Sequence, residues 1–404
     1  MLDNPYVTEF TWNYISYHFT EFYHGQYSPV NTLFYIVTYA LADFKPLAFH
    51  AMSLIVHIVN VLLVFILVKM IITAQYTFIP KKVNIYSALS ALVFAVHPMQ
   101  VESVAWLSAS KVLTFSLFTL LALIVYVRYI NTGRYRLLIW VMLLYMLAFG
   151  CKEQAIILPL VLFTLDYIFG RFKGPKPELK TLLKPLFIEK IPFFIMALLM
   201  WYFSAIHNLG NIIDANAYPF YQRLMFGAHS LVVYIFRFIA PVKMYYFYFY
   251  PITKGEPLPI MFWTYPILLT IIAWFGFEQY RKGNRLTVFG LMFFAVNLLL
   301  VIHILPMPRK MITADRYMYM SIAGLAIAVI PFIEQIIKQL KRKKVIAFAG
   351  VITVWLISIG AYSMYRTTQW KDSPTIKQNI RELIDKRKAA GEKGLENPVS
   401  VNSR

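Results

Sequence analysis

Residues 47–73 form an unbroken series of mostly apolar side chains in which Lys69 is the only Lys, Arg, Asp or Glu. A run of that length crosses a bilayer as a helix, because backbone groups in hydrocarbon find no water and must bond within their own segment. Comparable runs recur along the chain, and they are continuous rather than alternating, which argues against a membrane β-barrel. With 59% hydrophobic and 14% charged residues and a mean hydropathy of +0.59, the chain is far from a soluble globule, in which about 25% of residues are charged. The expected fold is all-α, a polytopic membrane protein of about 10–11 transmembrane helices by the length each crossing needs.

The net charge of +20 comes largely from short loops between apolar runs. That pattern follows the positive-inside rule and attraction to anionic lipid, and it points to membrane lipids rather than nucleic acid as partners. Lys69, Lys81 and Lys82, then Arg128, Arg134 and Arg136, then the basic stretches 171–184, 281–285 and 338–344, mark one face as cytoplasmic. The loops 97–111 and 305–316, and the turn at 152–153, fall on the other face. Residues 224–240 disturb this alternation: either they do not cross fully, or the tyrosine-rich stretch 244–251 returns the chain. Residues 29–41 are closer in length to an interfacial or re-entrant helix than to a span. Three parts are expected: an outer-face loop with that helix over 1–46, a transmembrane module over 47–366, and a short basic soluble tail over 367–404. The single cysteine, Cys151, excludes an intramolecular disulfide.

Lys152 and Glu153 lie side by side between the apolar runs 135–150 and 155–170. At the bilayer centre each would cost about 2.5–3.5 kcal/mol, so they are expected at an interface or in a polar cavity. The alternative is that they merely form the polar turn of a helical hairpin. On the same face fall His97, Glu102 and Lys111, and the run Asp315-Arg316-Tyr317 with Arg309 before it. A guanidinium fork matches phosphate oxygens, so Arg316 is a candidate phosphate ligand oriented by Asp315. A local ion pair is the other reading of Asp315-Arg316, and a helix-ending polar residue is the other reading of His97. His97 and Glu102 are not spaced to share a helical face, so no structural metal is expected. Asp166, near the cytoplasmic end of its run, reads as structural.

Four stretches in order carry a family resemblance: AVHPMQVESVAWLSASKVLTFSLFTLLALIVYVRY, GCKEQAIILPLVLFTLDYIFGR, TADRYMYMSIAGLAIAV and YRTTQWKDSPT. They resemble bacterial multi-spanning proteins with C-terminal tetratricopeptide repeats. These in turn resemble the eukaryotic transmembrane and tetratricopeptide-repeat O-mannosyltransferases of the GT-C glycosyltransferase superfamily. The resemblance extends from about Asp3 to Thr375. It implies a GT-C-like fold and an integral enzyme of the bacterial inner membrane with its site facing the periplasm. The implied reaction moves sugar from a polyprenyl-phosphate donor to a hydroxyl of a protein or glycan acceptor.

Asp3-Asn4-Pro5-Tyr6-Val7 matches the second of the family's two adjacent first-loop acids, which makes Asp3 the expected base, while Leu2 stands where the first acid is expected. Glu153, grouped with Asp3 as catalytic, would hold Lys152 in place. Lys152, Arg316 and Arg309 would bind the lipid phosphate, and His97, Glu102, Lys111, Asp315 and Tyr317 would shape the pocket on the acceptor side. The stretch 108–112, ending in Val112, departs from the more charged run of the bacterial relatives. The family has a span before the first loop, so the natural chain is expected to begin earlier, and a repeat domain or repeat partner is expected after the tail. No cofactor is identified, and assistance by a divalent ion is left open. A transporter or flippase of lipid-linked sugars, or a non-catalytic envelope scaffold, would use the same charges without turnover.

Overall fold

The computed structural model describes residues 7–8, 11–21, 27–75, 80–172, 185–207, 218–304 and 311–389. Among them all repeating structure is helical, in fifteen α-helices joined by turns of 3-10 helix. Six stretches are long and apolar enough to cross a membrane: Pro46–Gln75, Leu107–Thr132, Pro185–Ile206, Ile260–Arg281, Ser321–Gln339 and Arg342–Gln369. Pro80–Val96 and Pro98–Ala105, bent by 51°, make a seventh if taken as one broken span, and Pro29–Ala42, Arg136–Cys151 and Arg285–Val301 are shorter apolar helices. The chain is a polytopic all-α membrane protein.

The helices are α1 (Trp12–Thr20), α2 (Pro29–Ala42), α3 (Pro46–Gln75), α4 (Pro80–Val96), α5 (Val101–Ala105), α6 (Ser110–Thr132), α7 (Arg136–Cys151) and α8 (Leu158–Ile168). They continue as α9 (Ile191–His207), α10 (Phe220–Ile239), α11 (Thr264–Arg281), α12 (Arg285–Leu298), α13 (Ser321–Gln339), α14 (Arg342–Gln369) and α15 (Ser373–Ala389). The closest packing joins α6 to α7, α12 to α13, and α3 to α4 and α6. Within a bilayer helices gain little from apolar burial alone, so close approach of backbones has to supply the contact. Gly290 and Gly324 provide it: a Cβ on Gly324 would stand 2.7 Å from the Gly290 carbonyl oxygen. Thr287 adds a 2.9 Å hydrogen bond to the Ala328 carbonyl across the same seam.

Helices α11 and α14 lie at the periphery, with their apolar faces largely uncovered. Helix α10 accounts for the broken alternation. Residues 227–237 of it lie against 302–304 and 311–314: Gly227 against Ile302, Ser230 Oγ on the Ile312 carbonyl, Tyr234 on the Ala314 carbonyl, and Arg237 on Thr313. This stretch therefore stays beside the residues that lead into α13, while Ile239 accepts from Trp355, midway along α14. Residues 240–259 then run without regular helix or strand and return to the residues that lead into α13, where Tyr248 meets Asp315. The basic tail forms α15, whose Ile384 packs with Phe247 and Phe249 while Asn379 donates to Tyr246.

Candidate functional site

Pro98 cannot continue α4, because it lacks the backbone donor and its ring collides with the preceding turn. His97 caps the new 3-10 turn, its Nδ1 accepting from Met99 N–H at 3.3 Å. The turn leads into α5, which carries Glu102, and a second break at Trp106 leads through Leu107–Ala109 into α6. Tyr35 of α2 fastens this corner by donating to the Leu107 carbonyl at 2.7 Å. The segment entering α13 is pinned by Tyr319, whose hydroxyl meets His57 Nδ1 at 2.7 Å and Asn60 Nδ2 at 3.1 Å. Two separate loops are thereby set edge to edge.

Between them lie two ion pairs. Glu102 accepts from Arg316 twice, from the backbone N–H at 2.8 Å on Oε2 and from the guanidinium on Oε1. Asp315 Oδ2 pairs with Arg366 Nη1 at 2.9 Å, both side chains 1% exposed, and Asp315 Oδ1 accepts from Tyr248 Oη at 2.9 Å. The guanidinium of Arg316 also lies 5.4 Å from the Trp106 ring centre and 5.0 Å from that of Tyr317. Burial alone would lower the pKa of Arg316, but Glu102 and Tyr317 outweigh it and hold the group above the ordinary guanidinium value. Its charge is fixed at any working pH.

Lys152 reaches the same place from the other side, its Nζ 5.6 Å from the Tyr317 ring centre. It stands at the end of α7 with extended backbone, and the following turn Glu153–Ile157 is anchored by Gln154 Nε2 donating to the Asn297 carbonyl at 3.0 Å. Burial pushes the Glu153 carboxyl above its ordinary value, while a hydrogen bond with Ser204 and the charges of Lys111 and Lys152 act against that rise. Lys111 feels both Arg316 and Glu153. Arg237 joins the group with its guanidinium 4.0 Å from the Tyr248 ring centre.

Glu102, Lys111, Lys152, Glu153, Asp315, Arg316 and Tyr317 thus gather at one end of the bundle. The cations Lys111, Lys152, Arg237, Arg316 and Arg366 exceed the carboxylates Glu102, Glu153 and Asp315 by two. Asp3 and Arg309 lie outside the described residues.

His97 is buried with both ring nitrogens engaged, Nδ1 by Met99 and Nε2 by the Phe238 carbonyl at 3.2 Å. These two contacts are those of a capping residue, and the ring also lies near enough to Asp315 and Arg366 to feel both charges. Among the described residues no three of His, Cys, Asp and Glu form a metal-holding group.

Arg366, Tyr248 and Arg237 were not singled out from the sequence. The only signal for Arg366 was its place in the run YRTTQWKDSPT, just past an apolar stretch.

A second charged cluster lies at the opposite end, about 27 Å along α6 at 1.5 Å per residue from Lys111 to Tyr129. Asp166 meets Lys190 at 2.6 Å and Arg171 at 2.9 Å, and Glu189 meets Arg171 at 2.6 Å and Lys190 at 2.8 Å. Tyr126 donates to Asp166 and Tyr129 to Glu189. Among the described residues of this cluster two cations balance two carboxylates.

Over a third of its length the chain is similar to proteins with assigned names. It is 30% identical over 133 residues to Protein O-mannosyl-transferase Tmtc1 of Drosophila melanogaster, covering 33% of this chain and 14% of that protein. It is 32% identical over 145 residues to human Protein O-mannosyl-transferase TMTC4, covering 33% and 20%. To human Protein O-mannosyl-transferase TMTC3 it is 29% identical over 138 residues, covering 33% and 14%. The match thus spans between a seventh and a fifth of the relatives' own length. No family model matches the chain, and no solved structure matches it. The relatives it matches are TMTC protein O-mannosyl-transferases, which supports the resemblance to that family read from the sequence.

Proposed function

We propose that this protein is a GT-C type glycosyltransferase that moves a sugar from a polyprenyl-phosphate donor to an acceptor hydroxyl on the non-cytoplasmic face of the membrane. The observation that carries the reading is that Lys152 and Arg316, from segments far apart in sequence, both lie over the Tyr317 ring in a cluster whose cations outnumber its carboxylates. The similarity to protein O-mannosyl-transferases supports the reaction class and makes mannose the first sugar to test.

A polyprenyl phosphate cannot leave the bilayer, so its sugar must be met at the membrane surface. When the acceptor oxygen attacks the anomeric carbon, the bond to the phosphate breaks and negative charge grows on the departing group. Cations already held in place stabilise that charge without reorganising at the moment of reaction. Arg316, oriented by Glu102, and Lys152, near Tyr317 and Glu153, are placed for this work. A base must take the hydroxyl proton; the resemblance assigns that role to Asp3. Glu153 keeps Lys152 and Lys111 facing the pocket. A bacterial inner-membrane location, a periplasmic site and an acceptor delivered by a repeat domain or repeat partner belong to the same proposal.

The test supplies labelled polyprenyl-phosphate mannose to membranes carrying the wild type, Lys152→Ala or Arg316→Ala. Transfer of label to protein or glycan by the wild type, abolished in both variants at equal amounts of inserted protein, is the expected result. Movement of the intact donor across the membrane without transfer would favour a flippase instead. Wild-type turnover in the variants would remove both residues from the site.

A further inference from the structure

Opposite the ion pairs, the turn between α11 and α12 faces the last turns of α13 across an open cleft of about 420 Å³. Lys282, Asn284, Pro331, Glu334, Gln335 and Lys338 line it. The Glu334 carboxylate is already engaged, with Lys82 Nζ at 2.8 Å, Lys338 Nζ at 3.6 Å and the Tyr86 hydroxyl on its second oxygen. Lys82 and Lys338 therefore set two positive charges on one negative charge, and Lys282 lines the same cleft. Lys341, Arg342, Lys343 and Lys344 follow directly, all exposed.

The surroundings are apolar. Phe275 on α11, which stacks on Phe332 of α13, and Ile336 on α13 are exposed, and both helices qualify as membrane spans. A soluble anion would gain nothing from such flanks, whereas a molecule with an anionic head and hydrocarbon chains would use both. Basic pockets between spans near a membrane surface are suited to anionic headgroups.

We propose that this cleft binds the phosphate headgroup of an acidic phospholipid, its acyl chains lying on the exposed faces of α11 and α13. The site is separate from the proposed sugar-transfer pocket and does not depend on that reading. Native mass spectrometry of the detergent-purified chain tests it, with phosphatidylglycerol compared with phosphatidylcholine of identical acyl chains. Phosphatidylglycerol is expected to be retained preferentially. The double variant Lys282→Ala, Lys338→Ala is expected to bind it about tenfold to thirtyfold more weakly, since each cation near an anionic surface contributes about 1 kcal/mol. The double variant Lys343→Ala, Lys344→Ala, outside the cleft, is expected to bind it as the wild type does.

If the cleft double variant fails to fold, Lys282→Gln, which leaves the Glu334 pairs intact, is expected to weaken binding about fivefold. Equal retention of the two lipids, an equal loss in the Lys343, Lys344 variant, or displacement of phosphatidylglycerol by millimolar inorganic phosphate would each overturn the proposal.

Discussion

Arg366→Gln is the sharpest perturbation of the site that leaves the proposed phosphate-binding residues unchanged. Arg366 and Asp315 are both 1% exposed and 2.9 Å apart, and the other oxygen of the Asp315 carboxylate accepts from the Tyr248 hydroxyl. Removing the guanidinium leaves a carboxylate in a place water does not reach. Breaking a buried pair from one side costs about 3–5 kcal/mol, because the remaining charge keeps its desolvation penalty and loses its compensation. That corresponds to about two to three and a half orders of magnitude in a folding equilibrium. Removing the second charge as well, in Asp315→Asn, Arg366→Gln, takes the penalty away. The double variant should then recover part of the loss, with a coupling of about 0.5–3 kcal/mol. The assay is reversible unfolding in mixed micelles titrated with sodium dodecyl sulfate, followed by tryptophan fluorescence. A single variant as stable as the wild type, or a double variant whose loss is the plain sum of the two single losses, would refute the reasoning.

Three other outcomes follow from the same geometry. Glu102→Gln keeps the shape of the Arg316 contact but removes the compensating charge, and it should lower transfer about tenfold to a hundredfold with the protein still inserted, as expected when a positioning partner is lost; transfer assays on matched membranes check it. Glu153 titrates above the ordinary 4.5 of a glutamate because burial favours its neutral form. The folded state therefore binds that proton more tightly than the unfolded one, and the resulting stability is complete below pH 4.5 and lost as pH rises through the raised pKa. If the ionised form is needed to hold Lys152, the acid limb of the transfer profile lies above pH 4.5 and disappears in Glu153→Gln. Gly324→Leu should separate α12 from α13, since even a Cβ would stand 2.7 Å from the Gly290 carbonyl oxygen, and the yield of folded protein from detergent should fall several-fold, an overpacking penalty of about 1–3 kcal/mol or more.

The parts of the site that were legible in sequence are charges set between apolar runs. Lys152 and Glu153, Glu102, and Asp315-Arg316 stand out because a lipid-facing position would penalise them, and the structure brings them to one end. Arg366 was not legible, because an arginine at the end of an apolar run reads as an ordinary flanking cation; its burial depends on Asp315, fifty-one residues earlier. Tyr248 and Arg237 were hidden for a different reason. Hydropathy treats residues 224–240 as another crossing, whereas α10 is bonded to Ile312 and Ala314, and that placement carries the following tyrosines to Asp315. A histidine before a proline suits a pocket as well as a cap, and the contacts of His97 with Met99 and Phe238 show the capping role. The Asp166 cluster draws on three sequence regions, and of these only Asp166 drew notice as a charge within an apolar run.

The two charged ends of the bundle offer the most direct test of where the donor binds. A photoreactive polyprenyl phosphate, irradiated with the inserted protein and mapped by peptide mass spectrometry, is expected to label the segments around Glu102–Lys111, Lys152–Ile157 and Asp315–Tyr317. Labelling concentrated around Tyr126, Asp166 and Lys190, with those three segments unlabelled, would contradict the account.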